Sequence, residues 1–187
     1  PVFKKKCVND SFRLPSQKFK ITKDRIQLER IGKVKAVFDR QIPRDVKFLS
    51  VTVKKNSCEH YFASVLVNEK LEPKPTTGKT VGIDLGLKTF IVTSDNQQFE
   101  SPKFFRKNHA KLARAQMWLS KKKKGSKRRQ SQKKKVARIH LKTANQRQHF
   151  IHQVTNDLID NYQQIVIEDL NVKGMVKNRK LAKSISD

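Results

Sequence analysis

The 187-residue sequence predicts an α/β domain preceded by a small all-β domain. Residues 47–67 alternate apolar and polar side chains on both sides of a short polar turn, which is typical of a β-hairpin. Residues 127–161 repeat apolar side chains at helical spacing, and short β-type runs stand before and after this stretch. Between the two regions, residues 71–80 contain two prolines, one glycine and no apolar periodicity, so they are predicted to be a linker.

Short strands are predicted throughout residues 1–70, in the arrangement of a small barrel or sandwich. Residues 18–30 give two strands around a Lys23-Asp24 turn, and the clearest hairpin turns at Asn56-Ser57. Along the two strands of that hairpin, these apolar side chains are expected to point to one side: Leu49, Val51, Val53, Tyr61, Ala63, Val65 and Val67.

The predicted segments of the α/β unit, residues 81–187, follow a simple order. They are strands at 81–86, 89–94 and 97–100, helices at 108–124 and 127–161, and a strand at 163–169. The longer helix would span about 50 Å at about 1.5 Å per residue. The two helices are expected to form an antiparallel hairpin. Because helices separate the last strand from the others, that strand is expected to lie parallel to an earlier one.

The net charge of the chain indicates which kind of partner it binds. Its 43 Lys and Arg against 16 Asp and Glu give a formal net charge of +27 at pH 7. Nucleic acid is the first candidate for a polyanionic partner, and a membrane surface is the rival. No apolar stretch is long enough to cross a bilayer, and no membrane partner is expected.

A cationic segment, residues 121–138, concentrates this charge at the predicted tip of the helical hairpin. Eleven of its 18 residues are basic and almost no acid is nearby, which favours contact with phosphates over a merely solvated face. The predicted nucleic-acid contacts are Lys121, Lys122, Lys123, Lys124, Lys127, Arg128, Arg129, Lys133, Lys134, Lys135 and Arg138.

Two carboxylates stand in or after apolar β-type runs. In "VGIDLGLKTF" (81–90), one predicted face carries Val81, Ile83, Leu85 and Leu87 and is expected to pack against helices, and the other carries Gly82, Asp84 and Gly86. In "QQIVIEDLN" (163–171), Ile165 and Ile167 face one way, and Val166 and Glu168 face the other. If the two strands are parallel neighbours, Asp84 and Glu168 converge, and the glycines leave room for a bulky group beside Asp84.

Two converging carboxylates in so basic a protein suit a divalent metal ion. Mg²⁺ prefers carboxylate oxygens together with waters and substrate phosphate, and a two-metal site can support phosphodiester cleavage. The alternative is that Asp84 and Glu168 only cap a turn or a helix at a strand end. Cys7 and Cys58 lack zinc-site spacing and are expected to be free thiols, and the histidines show no metal-binding pattern.

Several motifs resemble the TnpB (OrfB) family of transposon-encoded, RNA-guided nucleases, which are relatives of the compact type V CRISPR effectors. They are "VGIDLGLKTF", "LSKKKKGSKR", "ARIHLKTANQRQHFIHQVTNDLI", "IVIEDLNVKGM" and "KNRKLAKSISD", and they cover most of residues 81–187 in order. Upstream, residues 3–36 resemble the second part of the wedge domain of that family, an oligonucleotide-binding-like β-barrel that holds guide RNA.

The resemblance implies a RuvC-like, RNase H-type fold with an inserted helical hairpin for residues 81–187, and a wedge-type β-barrel for residues 1–70. It implies that Asp84 and Glu168 are the first two catalytic acids of an RNA-guided DNA endonuclease and bind Mg²⁺ or Mn²⁺. The implied partners are guide RNA and target DNA, and the implied location is the prokaryotic cytoplasm, at the nucleoid.

The chain also departs from the family pattern. Family members begin before the point that matches Pro1, and they continue past the "SISD" motif into a zinc element and a third catalytic aspartate. Asp187 matches the end of "SISD" and is not that third acid. The sequence is therefore expected to be a fragment, a truncated variant or a portion of something longer, and the 187 residues alone are expected to bind nucleic acid without cutting it.

Two other interpretations stay open at this point. "GIDLG" also resembles the first phosphate loop of actin-like ATPases, although Leu87 and Lys88 follow where those proteins place Thr or Ser, and no second glycine-rich loop is present. A non-catalytic RNA- or DNA-binding module would need only the charge, and it would tolerate the loss of Asp84 and Glu168.

Overall fold

The computed structural model describes residues 10–39, 46–69, 77–185 and 187. The chain divides into two compact units, Pro1–Pro73 and Lys74–Asp187. Most of the predicted linker at 71–80, the stretch before residue 10 and Cys7 lie outside the described residues.

The first unit is built from short antiparallel strands, as the sequence predicts. They are β1 (Ser11–Pro15), β2 (Phe19–Ile21), β3 (Arg25–Leu28), β4 (Gly32–Lys35), β5 (Lys47–Lys55) and β6 (Tyr61–Asn68). One sheet has the strand order β1-β5-β6 and the other the order β2-β3-β4. The predicted turn between β2 and β3 is closed by the amide of Thr22, which donates to the carbonyl of Arg25 at 2.9 Å.

Both sheets of this unit contribute to one apolar core. Phe19, Ile26 and Leu28 come from the β2-β3-β4 sheet, and Val51 from β5 is fully buried against them. The rings of Phe19 and Phe48 meet edge to face, with 6.2 Å between their centroids. Alternation along β3 therefore buries Ile26 and Leu28 on one face and exposes Arg25 and Gln27 on the other.

The predicted alternation in β5 is wrong at Leu49. The pairing of β5 with β6 shifts register between Phe48 and Ser50, so Phe48 packs on the core while Leu49 is 40% exposed. A bulge of this kind adds one residue to a strand and reverses the faces beyond it. The pairing confirms the predicted face of β6, because Ala63 is the partner of Val53 and Val65 that of Val51. On this face Tyr61 and Ala63 are exposed, and Val65 and Val67 are partly buried.

The second unit is a four-stranded sheet with a long helical hairpin. Its elements are β7 (Thr80–Leu85), β8 (Thr89–Thr93), β9 (Gln98–Glu100), α1 (Phe104–Ser120), α2 (Lys127–Asn161), β10 (Gln164–Ile167), α3 (Val172–Met175) and α4 (Ala182–Ile185). The strand order is β10-β7-β8-β9. The strands β7, β8 and β9 are antiparallel neighbours, and β10 pairs with β7 in parallel, which confirms the predicted parallel pair.

The helices α1 and α2 form the predicted antiparallel hairpin. The amide of Asn108 near the start of α1 donates to Thr143 and to Gln146, each at 3.2 Å, far along α2. Near the other end of α1, the carbonyl of Ala115 accepts from Gln132 at 2.9 Å. Contacts that run in opposite directions along the two helices define their antiparallel orientation.

Helix α2 covers one face of the sheet with the side chains that the sequence predicts. Val154 and Leu158 pack against Val81, Ile83 and Ile91, and this cluster is the buried core of the second unit. The packing follows from the spacing of apolar residues by four along α2 and by two along β7.

The sheet is less covered than predicted at two positions. Leu85 and Leu87 are 42% and 39% exposed, and they lie at the end of β7 and in the turn to β8. In β10, Ile165, Val166 and Ile167 are 37%, 53% and 63% exposed, so neither face of this edge strand is packed among the described residues. In the part of the chain that the structure describes, no helix is long and apolar enough to cross a membrane.

Candidate functional site

The two predicted catalytic carboxylates lie at equivalent positions of neighbouring parallel strands. Ile83 pairs with Ile167, and Asp84 and Glu168 are the next residues along β7 and after β10. Neighbouring strands in a sheet lie about 4.8 Å apart. Residues in parallel register point to the same face, and both carboxylates are exposed. The register is consistent with convergence of Asp84 and Glu168, and both their convergence and their catalytic role stay predictions.

The glycines beside Asp84 serve different purposes. A Cβ atom built on Gly82 would meet only the Cβ of Ser94, at 3.8 Å, so this position has space. A Cβ on Gly86 would lie 2.6 Å from the carbonyl oxygen of Thr89. Gly86 is therefore explained by the tight β7–β8 turn, in which its amide donates to the carbonyl of Phe90 at 3.3 Å. Gly82 therefore has room for a Cβ atom in ordinary contact with Ser94, and Gly86 does not.

The donors that could hold a metal ion are few. Among the described residues, no group of three or more His, Cys, Asp or Glu side chains is placed to hold one. Cys58 is a buried free thiol, and the helical histidines are exposed, as expected. A protein usually contributes one or two carboxylates to a Mg²⁺ site, and waters and substrate phosphates supply the other ligands. Two carboxylates are therefore sufficient as protein ligands.

Asp187 interacts with the start of helix α1. Its carboxylate accepts from the backbone amides of Phe105 at 2.6 Å and Arg106 at 3.1 Å, at the first turn of α1. Its side chain is 3% exposed and lies 3.5 Å from the guanidinium of Arg147. The role of Asp187 in this structure is to cap a helix that has no acidic residue in its own first turn.

The cationic segment spans the α1–α2 turn and the first three turns of α2. Lys122, Arg129 and Lys134 are half-buried, and the other eight predicted contacts are exposed. Arg129 has a structural role, because its guanidinium donates to the carbonyls of Leu119 at 2.8 Å and Lys122 at 2.9 Å. These bonds satisfy carbonyls that the end of α1 leaves without helical partners. The exposed cations remain available to phosphates.

Sequence analysis missed a groove between α1 and α2. Its volume is about 560 Å³, and its lining residues are Lys111, Arg114, Ala115, Trp118, Lys122, Gln132, Lys135 and Ile139. On α1 the basic and aromatic residues follow helical spacing at 111, 114 and 118, and Lys122 continues it in the turn after the helix, which was the available signal. The apolar periodicity of the same helix indicates only the neighbouring side, where Leu112 is buried.

Tyr162 has a clearly altered pKa. The hydroxyl of Tyr162, just before β10, donates to the carboxylate of Asp95 at 2.9 Å. This hydrogen bond raises the pKa of Tyr162 above its ordinary value, and partial desolvation and the negative charges of Asp95 and Asp157 act in the same direction. The contact ties the end of α2 to the β8–β9 turn.

Comparison with known proteins gives consistent matches. The model of the family OrfB_IS605, described as "Probable transposase", matches residues 50–179. A protein of Streptomyces pristinaespiralis named "Putative RNA-guided DNA endonuclease" is 37% identical over 150 residues, which are 80% of this chain and 37% of that protein. The "Putative RNA-guided DNA endonuclease InsQ" of Escherichia coli (strain K12) is 38% identical over 181 residues, which are 95% of this chain and 44% of that protein. The chain thus spans less than half the length of these curated relatives.

Proposed function

This chain belongs to the TnpB (OrfB) family, whose members are described as probable transposases, and from this membership we propose that it carries the catalytic carboxylates of an RNA-guided DNA endonuclease. The reaction is hydrolysis of a phosphodiester bond in target DNA, with Mg²⁺ or Mn²⁺ as the cofactor. Both relatives described above are named as putative RNA-guided DNA endonucleases.

The observation that carries the proposal is the parallel register of β7 and β10. Ile83 pairs with Ile167, and Asp84 and Glu168 are the next residues, although 83 residues separate them in the sequence, which supports their placement on one face of the sheet. A structural role in capping would not require the same register position on two strands.

The topology of the second unit supports a RuvC-like, RNase H-type fold. Three antiparallel strands are followed by helices and then by a fourth strand, which lies parallel to the first and beside it. For the first unit, two three-stranded sheets around one core support the wedge-type β domain, with guide RNA as its ligand.

The chemistry follows from the two carboxylates and their exposure. Asp84 and Glu168 supply negative oxygen ligands on a protein that is otherwise strongly positive, so they are the groups that would hold a divalent cation at this edge. When bound, the metal supplies an activated water and neutralises charge on the scissile phosphate. The residues of the chain orient the phosphodiester, and the exposed cations of the segment 121–138 hold the backbone of the nucleic acid.

The test compares DNA cleavage by the protein of the intact reading frame with guide RNA, matched duplex and Mg²⁺. Asp84→Asn and Glu168→Gln are expected to lower the rate by at least about 100-fold while leaving guide binding unchanged. Asp169→Asn is the matched control, because it removes one exposed carboxylate next to Glu168 and is expected to keep activity. Unreduced cleavage by Glu168→Gln would contradict the assignment of Glu168.

A metal titration of the 187 residues separates binding from catalysis. Weak Mn²⁺ binding that Asp84→Asn abolishes and Asp169→Asn retains is expected, since a pair of carboxylates gives only part of a coordination shell. Equal binding by the Asp84→Asn variant would show that the pair forms no metal site.

A second candidate function is a non-catalytic guide-binding module. The described residues contain no cluster of three metal ligands, which favours this alternative for the 187 residues by themselves. It predicts nucleic-acid binding without metal-dependent cleavage in every protein tested above. Family membership gives no support to the actin-like ATPase alternative.

A further inference from the structure

The groove between α1 and α2 has the composition of a nucleotide site. Four of its lining residues are basic, namely Lys111, Arg114, Lys122 and Lys135, and none is acidic. The remaining lining is Trp118 with small, amide or aliphatic side chains. Its volume of about 560 Å³ is within the range of ligand pockets.

Trp118 is the aromatic surface of this groove. It is 47% exposed, and it is the only tryptophan among the 187 residues. The ammonium groups of Lys121 and Lys122 lie 5.5 and 5.8 Å from its ring centre. Cations at this distance are attracted by the electron-rich ring face, and a base that stacks on the face they cover takes their place.

The groove is held open by the hairpin itself. Gln132 bridges to the carbonyl of Ala115, and Arg129 fixes the end of α1 through the carbonyls of Leu119 and Lys122. Ala115 has too small a side chain to fill the space beside Trp118. A preformed site of this kind loses little conformational entropy when a ligand enters.

We propose that this groove binds one unpaired nucleotide of an RNA strand, whose base stacks on Trp118 and whose flanking phosphates contact Lys111, Arg114 and Lys135. Every base presents a flat π face, so stacking on an aromatic side chain tolerates any sequence. RNA is the partner because its loops and bulges offer unpaired bases at no cost, whereas a base of duplex DNA must first leave its stack. The choice of RNA rests on the proposed function, in which a guide RNA is the permanent partner.

The single tryptophan of the chain makes the test direct. An unstructured RNA of about 15 nucleotides is titrated into the 187-residue chain at fixed salt, and Trp118 fluorescence is recorded. Stacking is expected to quench the fluorescence in a saturable way, and a duplex DNA of equal length, which the cationic segment also binds, is expected to quench it far less. Binding of RNA without quenching would overturn the proposal, and equal quenching by single-stranded DNA would overturn the choice of RNA.

Variants separate stacking from charge. By anisotropy of labelled RNA, Trp118→Ala is expected to weaken binding by about 5- to 100-fold, and Trp118→Phe to restore most of it. Met117→Ala is the matched control, because Met117 is similarly exposed at 45% but does not line the groove. An affinity of Trp118→Ala equal to that of Met117→Ala would contradict the site.

The two proposals can fail separately. If the protein of the intact reading frame cuts DNA in an Asp84-dependent manner while Trp118→Ala binds RNA normally, only the groove assignment is wrong. If neither the parent nor Met117→Ala binds RNA at all, the result contradicts both the guide-RNA binding of the proposed function and the nucleotide site in the groove.

Discussion

Asp187 caps the first turn of α1 by accepting the backbone amide of Phe105 at 2.6 Å, across 82 residues of sequence. The residue at the N-cap position of α1, Lys103, provides no side-chain cap and has a positive φ of 47°. The negatively charged carboxylate of Asp187 thus lies at the N-terminus of α1, which is the positive end of the helix dipole. A residue far away in the sequence therefore caps the helix N-terminus, a role that a local Ser or Asp usually has.

We expect Asp187→Ala to lower the free energy of unfolding by about 1–3 kcal/mol, because two amides lose their acceptor and Arg147 loses its partner. Asp187→Asn keeps one acceptor oxygen and should lose less. Urea unfolding followed by circular dichroism measures both. Equal stability of Asp187→Ala and the parent would mean that the cap contributes nothing.

Substitutions of two adjacent arginines should change the stability of the protein by different amounts. Arg129→Gln removes bonds to the carbonyls of Leu119 and Lys122 and should destabilise the protein by about 1–3 kcal/mol. Arg128→Gln alters an exposed side chain and should change stability by less than about 0.5 kcal/mol. Thermal unfolding of both variants is the measurement, and an unstable Arg128→Gln would contradict the division of roles.

Gly86→Ala and Gly82→Ala form a second matched pair. The new Cβ at residue 86 would press on the carbonyl oxygen of Thr89, so a loss of about 1–3 kcal/mol is expected. At residue 82 the nearest atom is 3.8 Å away, and alanine should be tolerated or slightly stabilising. Urea midpoints give the comparison, and similar midpoints for the two variants would refute it.

Alkaline pH should release the contact between Tyr162 and Asp95. The raised pKa of Tyr162 means that the folded state holds the phenol proton more tightly than the unfolded state does. The stabilisation is therefore complete below the ordinary tyrosine pKa of 10.0 and is lost as pH rises through the higher folded value. Tyrosinate absorbance should show a late component that Tyr162→Phe removes and Tyr61→Phe retains. Asp95→Asn should move that component to lower pH.

Salt dependence should reveal the cationic segment. Replacing Lys121, Lys122, Lys123 and Lys124 with Gln should reduce the slope of log K against log[salt] for duplex DNA by about 2 to 4 units. The control replaces Lys173, Lys177, Lys180 and Lys183, which removes the same charge from the region of α3 and α4. Equal reductions in the two proteins would show that the slope reports net charge and not the hairpin.

The sequence predicts the second unit well where side-chain spacing alone decides the structure. The bounds 127–161 match α2, and the apolar run ending at Glu168 pairs in parallel with β7. The parallel orientation, on which the candidate metal site depends, could be anticipated because a helix between two strands is typical of a crossover connection. The register, in which Ile83 pairs with Ile167, comes from the structure.

Other features depend on interactions that spacing does not contain. A one-residue shift exposes Leu49, and nothing in the alternation of β5 marks where the shift occurs. The capping of α1 by Asp187 joins segments that share no local pattern. The groove at Trp118 requires the relative rotation of two helices, which the apolar spacing of each one fixes only approximately.

The open edge at β10 has a consequence for handling the protein. Its outer backbone groups have no strand partner among the described residues, and its side chains are apolar on both faces, so a second copy could add to this edge and begin an aggregate. The net charge of +27 opposes such self-association by repulsion. Salt shortens the Debye length from about 10 Å at 0.1 M to about 3 Å at 1 M, which removes this protection. High salt, the usual means of stripping bound nucleic acid during purification, is therefore the condition in which β10 is most prone to pair between molecules.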